Sequence, residues 1–234
     1  MTKGEWIVLF DIYMLVFWSV AYIECIRIGF RDKTYCVPLF AIGLNFTWEL
    51  STMIMFVVNG ITNIFSYVLL STWLILDCGI IYTYMKFGEN EIENLPLRKS
   101  LKKIKVGTGK LHYIRALFLL PVWGGLIVFC VNCYDNWLDY FPYVDNLIMS
   151  ILFLLMLHVR KSLRGQSISI AICKCAGSLF AIIACSLEHS VWLLCVLILC
   201  NIVDFVYVSM VIRAMQSEKT VVLSPKNKKK QNPS

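Results

Sequence analysis

Chemistry in this chain would turn on polar and ionisable side chains set inside long apolar stretches. Asn45, Trp48, Glu49 and Thr52 recur at helical spacing within an otherwise apolar segment and therefore share one face, with Glu49 deep in the segment. Asn201, Asp204 and Tyr207 form a second stripe, Trp73, Asp77 and Tyr84 a third, and Ser167, Lys174 and Ser178 a fourth. Placing an ionisable group at membrane depth costs at least about 2.5–3.5 kcal/mol on insertion scales, so such faces are expected to look inward and to mark a site or a proton path. Glu49 and Asp204 have no basic residue at equivalent depth on their own segments and are the candidate functional acids, whereas Asp77 and Lys174 could equally close a structural ion pair. Asp11 and Glu24 lie nearer the ends of their segment, within reach of lipid headgroups. His112, His158 and His189 fall at segment ends without metal-ligand spacing, so no metal site is expected.

The elements that must position these residues are membrane spans. The chain has 234 residues, 59% hydrophobic and 16% charged, against roughly 45–50% and 25% for an ordinary soluble domain. Apolar runs of crossing length are predicted near 6–28, 36–58, 65–85, 114–133, 142–159, 167–187 and 190–212. Lipid offers the backbone no hydrogen bonds, and the runs lack the short alternating pattern of a barrel, so each is expected to be helical and the fold class all-α. The first run is too long for a signal peptide, and no small-residue cleavage site follows it. This predicts one seven-helix transmembrane domain over residues 1–215 and a basic, disordered tail over 216–234. Most of the ten cysteines fall inside apolar runs, where they act as small hydrophobes; Cys130 and Cys133 are expected as a helical packing pair.

Lysine and arginine placement orients the spans. Twenty of the 22 basic residues fall on one side, in the segments around Arg27–Lys33, Lys86–Arg115, Arg160–Arg164 and Arg213–Lys230. Lys3 alone falls on the other, and Lys174 lies inside a span. The amino terminus is therefore expected on the outer or lumenal side and the carboxyl terminus in the cytosol, in the endoplasmic reticulum of a eukaryote or the plasma membrane of a bacterium. The net charge of +7 tracks helix ends without interleaved aromatics, which favours anionic membrane lipids over nucleic acid as the partner.

The stretch from Tyr22 through Glu49, with the turn Arg31-Asp32-Lys33-Thr34-Tyr35, then Pro38, Asn45 and Trp48-Glu49, resembles the integral membrane terpene cyclases of fungal meroterpenoid and indole-diterpene pathways and their bacterial relatives. Trp73 with Asp77, Tyr82 and Pro96 continues the resemblance, as do Arg164-Gly165-Gln166-Ser167 with Lys174 and Gly177, and Asp204 with Tyr207. Their order covers essentially the whole chain. The resemblance implies a cofactor-free and metal-independent cyclase that protonates the epoxide or terminal alkene of a polyprenyl or meroterpenoid substrate and steers the carbocation through ring closures. It maps the acidic pair onto Glu49 and Asp204. The chain has neither an Asp-Asp-x-x-Asp nor an Asp-x-Asp-Asp run. A general acid must hold its proton at neutral pH, which a dry bundle favours. Glu49 is the expected donor or its direct support and Asp204 the partner that shares the proton, with the roles exchangeable. Asn45 could orient Glu49 from one turn away, and Trp48, Trp73, Tyr84 and Tyr207 either pack or offer ring faces to cationic intermediates; Asp77 and Asn201 complete the expected substrate site.

Other classes fit less well. A retinal protein needs a lysine in its seventh span, and residues 190–212 have none. A membrane prenyltransferase carries two aspartate-rich motifs, against the single run Asp135 to Asp139 here. A small proton-coupled transporter would use buried carboxylates with Lys174, but such folds often show corresponding halves and no repeat is evident. A scaffold that binds lipid without converting it is the remaining alternative.

Overall fold

Each end of the first helix is specified locally. The Thr2 hydroxyl accepts from the Glu5 backbone N–H at 3.3 Å while the Glu5 carboxylate accepts from the Thr2 N–H at 2.9 Å, a reciprocal cap that starts the helix. Lys33, at φ 51°, takes the left-handed conformation that ends it. The computed structural model describes residues 2–94, 123–126, 137–188 and 191–223. Its long helices are α1 (Lys3–Asp32), α2 (Leu39–Val58), α3 (Ile64–Asn94), α4 (Trp137–Arg160), α5 (Ile168–Glu188) and α6 (Val191–Leu223).

The described residues are helical in six elements long and apolar enough to cross a membrane. Those six correspond to six of the seven predicted spans. The fourth prediction, 114–133 with Cys130 and Cys133, lies outside the described residues except for one helical turn at 123–126, as do the basic residues from Arg98 to Lys110 and the tail beyond Leu223. That turn sets the Trp123 indole against Gly43 of α2. Two boundaries differ from the sequence reading: α4 begins at Trp137 rather than 142, and α6 runs on to Leu223, through residues read as tail.

Helix pairing closes a ring. α1 packs on α3 and α5, α5 on α6, α6 on α4, α4 on α2, and α2 on α3. The apolar and polar faces are inverted relative to a water-soluble protein: Ile75 is 70% exposed and Phe205 57%, whereas Glu49 is 1% exposed and Asp77 and Asp204 are fully buried. Hydrocarbon solvates the first set, and the ring interior must satisfy the second.

One end of the ring is tied by backbone contacts between the α1–α2 and α4–α5 connections. Arg160 donates to the carbonyls of Tyr35 and Arg164, both at 3.0 Å, with its guanidinium 4.6 Å from the Tyr35 ring centre. Arg164 donates to the carbonyls of Asp32 and Lys33, and the Gly165 N–H to the Asp32 carboxylate at 2.9 Å. Gly165 has φ +74°, and a Cβ there would lie 2.9 Å from the Tyr35 carbonyl oxygen, so this turn needs glycine.

Candidate functional site

Two polar clusters occupy the ring interior. In the first, Asn45 of α2 donates both hydrogens of its amide nitrogen, one to Glu49 Oε1 and one to Asp77 Oδ2, each at 2.8 Å. Asn45 and Glu49 stand one turn apart on α2, and Asp77 arrives from the facing turn of α3. The second oxygens, Glu49 Oε2 and Asp77 Oδ1, have no hydrogen-bond partner although both are buried. This cluster therefore gathers two carboxyl groups around a single neutral donor, with no lysine or arginine among the described residues bonded to either.

The second cluster is charge-matched. Lys174 of α5 bonds Asp204 Oδ1 of α6 at 2.8 Å and Asn146 Oδ1 of α4 at 3.1 Å, and also donates to the Ser150 hydroxyl. Ser178 donates to the other Asp204 oxygen at 2.7 Å. The Lys174 ammonium also lies 5.3 Å from the Trp18 ring centre, a cation–π distance. Gly177 makes room for that ring, since a Cβ there would lie 2.6 Å from it. The basic partner of Asp204 thus comes from a neighbouring helix, and the Asp77–Lys174 ion pair that the sequence allowed is replaced by Asp204–Lys174.

Between the clusters lies a cavity of about 650 Å³, a size typical of small-molecule sites. Asn45, Trp48 and Thr52 line it from α2, Trp73 and Leu70 from α3, Trp18 and Tyr22 from α1, and Asn146 and Met149 from α4. Each cluster presents one amide to it, Asn45 for the first and Asn146 for the second. Two further donors on its wall, the Thr52 hydroxyl and the Trp73 indole N–H, lack protein partners.

Of the residues chosen from sequence, Asn45, Trp48 and Trp73 line the cavity, with Glu49 and Asp77 directly behind Asn45. No hydrogen bond joins Glu49 to Asp204; each acid sits in its own cluster. Asn201 donates to the Cys175 carbonyl at 3.0 Å, Tyr207 packs on Phe153 at 5.6 Å, and Tyr84 packs on Tyr35 at 5.0 Å near the tied end, none of them on the cavity wall. Glu24 is paired with Arg27 at 2.7 Å, whereas Asp11 lines the cavity. Sequence reasoning missed Asp145 and Asn146. Asp145 is buried with Oδ1 unpartnered, and it lies within electrostatic range of Asp77 and Lys174. Its signal was the helical run Asp145, Asn146, Met149 and Ser150, which lies inside the predicted span 142–159 but was not read as a polar stripe. Among the described residues no group of His, Cys, Asp and Glu is placed to hold a metal ion.

Six apolar helices enclosing buried ionisable clusters define a multi-pass, all-helical membrane protein. The chain belongs to the Pyr4-like transmembrane terpene cyclases, whose family pattern it matches over residues 3–217. Curated relatives include terpene cyclase ascF of Acremonium egyptiacum, 36% identical over 93 residues that make up 39% of this chain and 33% of that protein. The Pyr4-family terpene cyclase mfmH of Annulohypoxylon moriforme is 30% identical over 70% of this chain and 63% of its own length. Terpene cyclase dpchB of Colletotrichum higginsianum is 29% identical over 75% of this chain and 68% of its own length. The chain thus spans from 33% to 68% of the length of these relatives. No solved structure matches it.

Proposed function

We propose that this chain is a membrane terpene cyclase that starts carbocation cyclisation by protonating the epoxide or terminal alkene of a polyprenyl or meroterpenoid substrate, without a metal or cofactor. The observation that carries this reading is the Asn45 amide on the wall of an aromatic cavity, holding Glu49 and Asp77 at 2.8 Å each. Two carboxylates around one neutral donor in a dry interior would repel each other without compensation, so the pair is satisfied when it holds a proton. That proton is the one delivered to the substrate. Glu49 is the donor and Asp77 the partner that shares its proton, with Asn45 positioning both.

Asp204 is cast differently. Its contact with Lys174 at 2.8 Å and with Ser178 at 2.7 Å suits a carboxylate held as an anion. Its role in this reading is to fix Lys174, which in turn fixes Asn146 on the cavity wall. Trp48 and Trp73 offer ring faces to the cationic intermediates, whereas one face of Trp18 already serves Lys174. The proposal includes seven spans, with the fourth supplied by residues 114–133, an outer or lumenal amino terminus and a cytosolic carboxyl terminus.

The test is product formation. The full chain is expressed in membranes with polyprenyl-arene epoxides, and cyclised isomers of unchanged mass are expected; Glu49→Gln should abolish them. Linear substrate recovered unchanged from wild type across such a panel, or full turnover by Glu49→Gln, overturns the reading.

A further inference from the structure

The α2–α3 seam carries two hydrogen-bond donors that the described residues leave unused. Thr47 and Ser51 of α2 and Thr72 of α3 each donate their hydroxyl to the carbonyl one turn back, at 2.7 Å. Such a bond is the ordinary outlet for a hydroxyl inside a helix. Thr52 does not take it: its Oγ1 has no hydrogen-bond partner, and neither has the indole N–H of Trp73. Both residues are only 8% exposed, and both line the cavity. Thr52 stands three residues beyond Glu49 on α2, and Trp73 four residues before Asp77 on α3. The two helices pack antiparallel through the short connection at 59–63. Each donor is therefore displaced toward that connection, by roughly 4.5 and 6 Å of helix rise from its own acid. They stand at one level of the seam, a turn away from the pair that Asn45 bridges.

We infer that Thr52 and Trp73 form a subsite for a neutral acceptor oxygen of the ligand. An indole N–H only donates, and a threonine hydroxyl donates as well as accepts. The one group that satisfies both is an oxygen with two free lone pairs, which needs no proton of its own. A carbonyl, ether or epoxide oxygen has them. The neighbouring wall of Met55, Leu69 and Leu70 is apolar, so a hydrocarbon placed here leaves both donors buried and unbonded. Stranding a buried donor costs more than an average hydrogen bond returns, and that asymmetry selects the oxygen-bearing ligand. Glu49 Oε2 and Asp77 Oδ1, also buried and unbonded, belong to the next turn of the same seam. That the held oxygen is also the one protonated rests on the cyclisation proposed above; the subsite itself does not.

The experiment measures displacement of tritiated farnesylacetone from the full chain in lipid nanodiscs. The competitors are unlabelled farnesylacetone and the hydrocarbon in which a methylene group replaces its carbonyl oxygen, which keeps the shape and removes the acceptor. The ketone should bind about four- to a hundredfold more tightly, from about two- to tenfold for each hydrogen bond. Thr52→Val, which keeps the side-chain shape, should reduce that preference about two- to tenfold and leave the hydrocarbon bound at least as tightly. It should not lower the unfolding temperature, because the unliganded protein gives that hydroxyl no bond. If Thr52→Val fails to fold, Trp73→Phe carries the same comparison. A preference that survives both substitutions overturns the subsite. So does equal binding of ketone and hydrocarbon by the wild type, the result expected if water fills the subsite, or a Thr52→Val protein that is less stable and weakened alike for both ligands. Absent turnover with the ketone preference intact removes the cyclase reading and leaves the subsite standing; turnover without the preference does the reverse.

Discussion

The two buried clusters differ in how their charge is balanced. On the α2–α3 side, Glu49 and Asp77 share one neutral amide and, among the described residues, no cation. On the α5–α6 side, Asp204 is matched by Lys174 and by the Ser178 hydroxyl. A carboxyl group with a cationic partner is stable as an anion, whereas one with another carboxyl as neighbour is stable only with a proton between them. In the proposed reading, two acids that look equivalent in sequence thus do different work, Glu49 giving up a proton and Asp204 holding a helix pair in place.

Substitutions can break or sharpen that contrast. Glu49→Gln keeps the shape and the hydrogen bond from Asn45 but removes the transferable proton, so turnover should fall by about a hundred- to ten-thousand-fold with little change in thermal unfolding in detergent. Lys174→Met or Asp204→Asn, each leaving a buried charge alone, should cost about 3–5 kcal/mol of stability, read as a lower unfolding temperature. Joint replacement of the pair by apolar residues should cost less than the sum of the singles. If Asp204→Asn instead spares stability and abolishes turnover, the two clusters share one proton path and the contrast fails. Ser178→Ala, which removes the second contact to Asp204, should cost about 1.5–3 kcal/mol in the same unfolding measurement. Trp73→Phe, which retains a ring face but weakens its pull on cations, should lower turnover only several-fold, consistent with about 0.5–1 kcal/mol.

Helix positions and the inward faces were legible because their signals are local. The apolar run read at 36–58 and the spacing of Asn45 and Glu49 along it belong to one helix, which the structure has at Leu39–Val58. Partner choice between helices was not local. Whether Lys174 meets Asp77 or Asp204 depends on which helices adjoin, and α5 adjoins α6 in the ring. The aromatic stripe misled for the same reason: Trp73 and Tyr84 lie on one helix, but only the amino-terminal part of α3 borders the cavity, and Tyr84 packs on Tyr35 near the far end. Asp145 escaped notice although it lies inside the predicted span 142–159, because its neighbourhood of Asp77 and Lys174 comes from other helices and leaves no mark along its own segment.

The clasp of Arg160 and Arg164 on the Asp32, Lys33 and Tyr35 carbonyls binds the α1–α2 connection to the α4–α5 connection, so those helices cannot part at that end without breaking it. Asn63 and Ser66 of the cavity wall belong to the other end, where α2 passes into α3. Under the proposed cyclase reading, a slender thread wound into rings leaves as a bulkier object, and the helices expected to yield to it are those at the unclasped end.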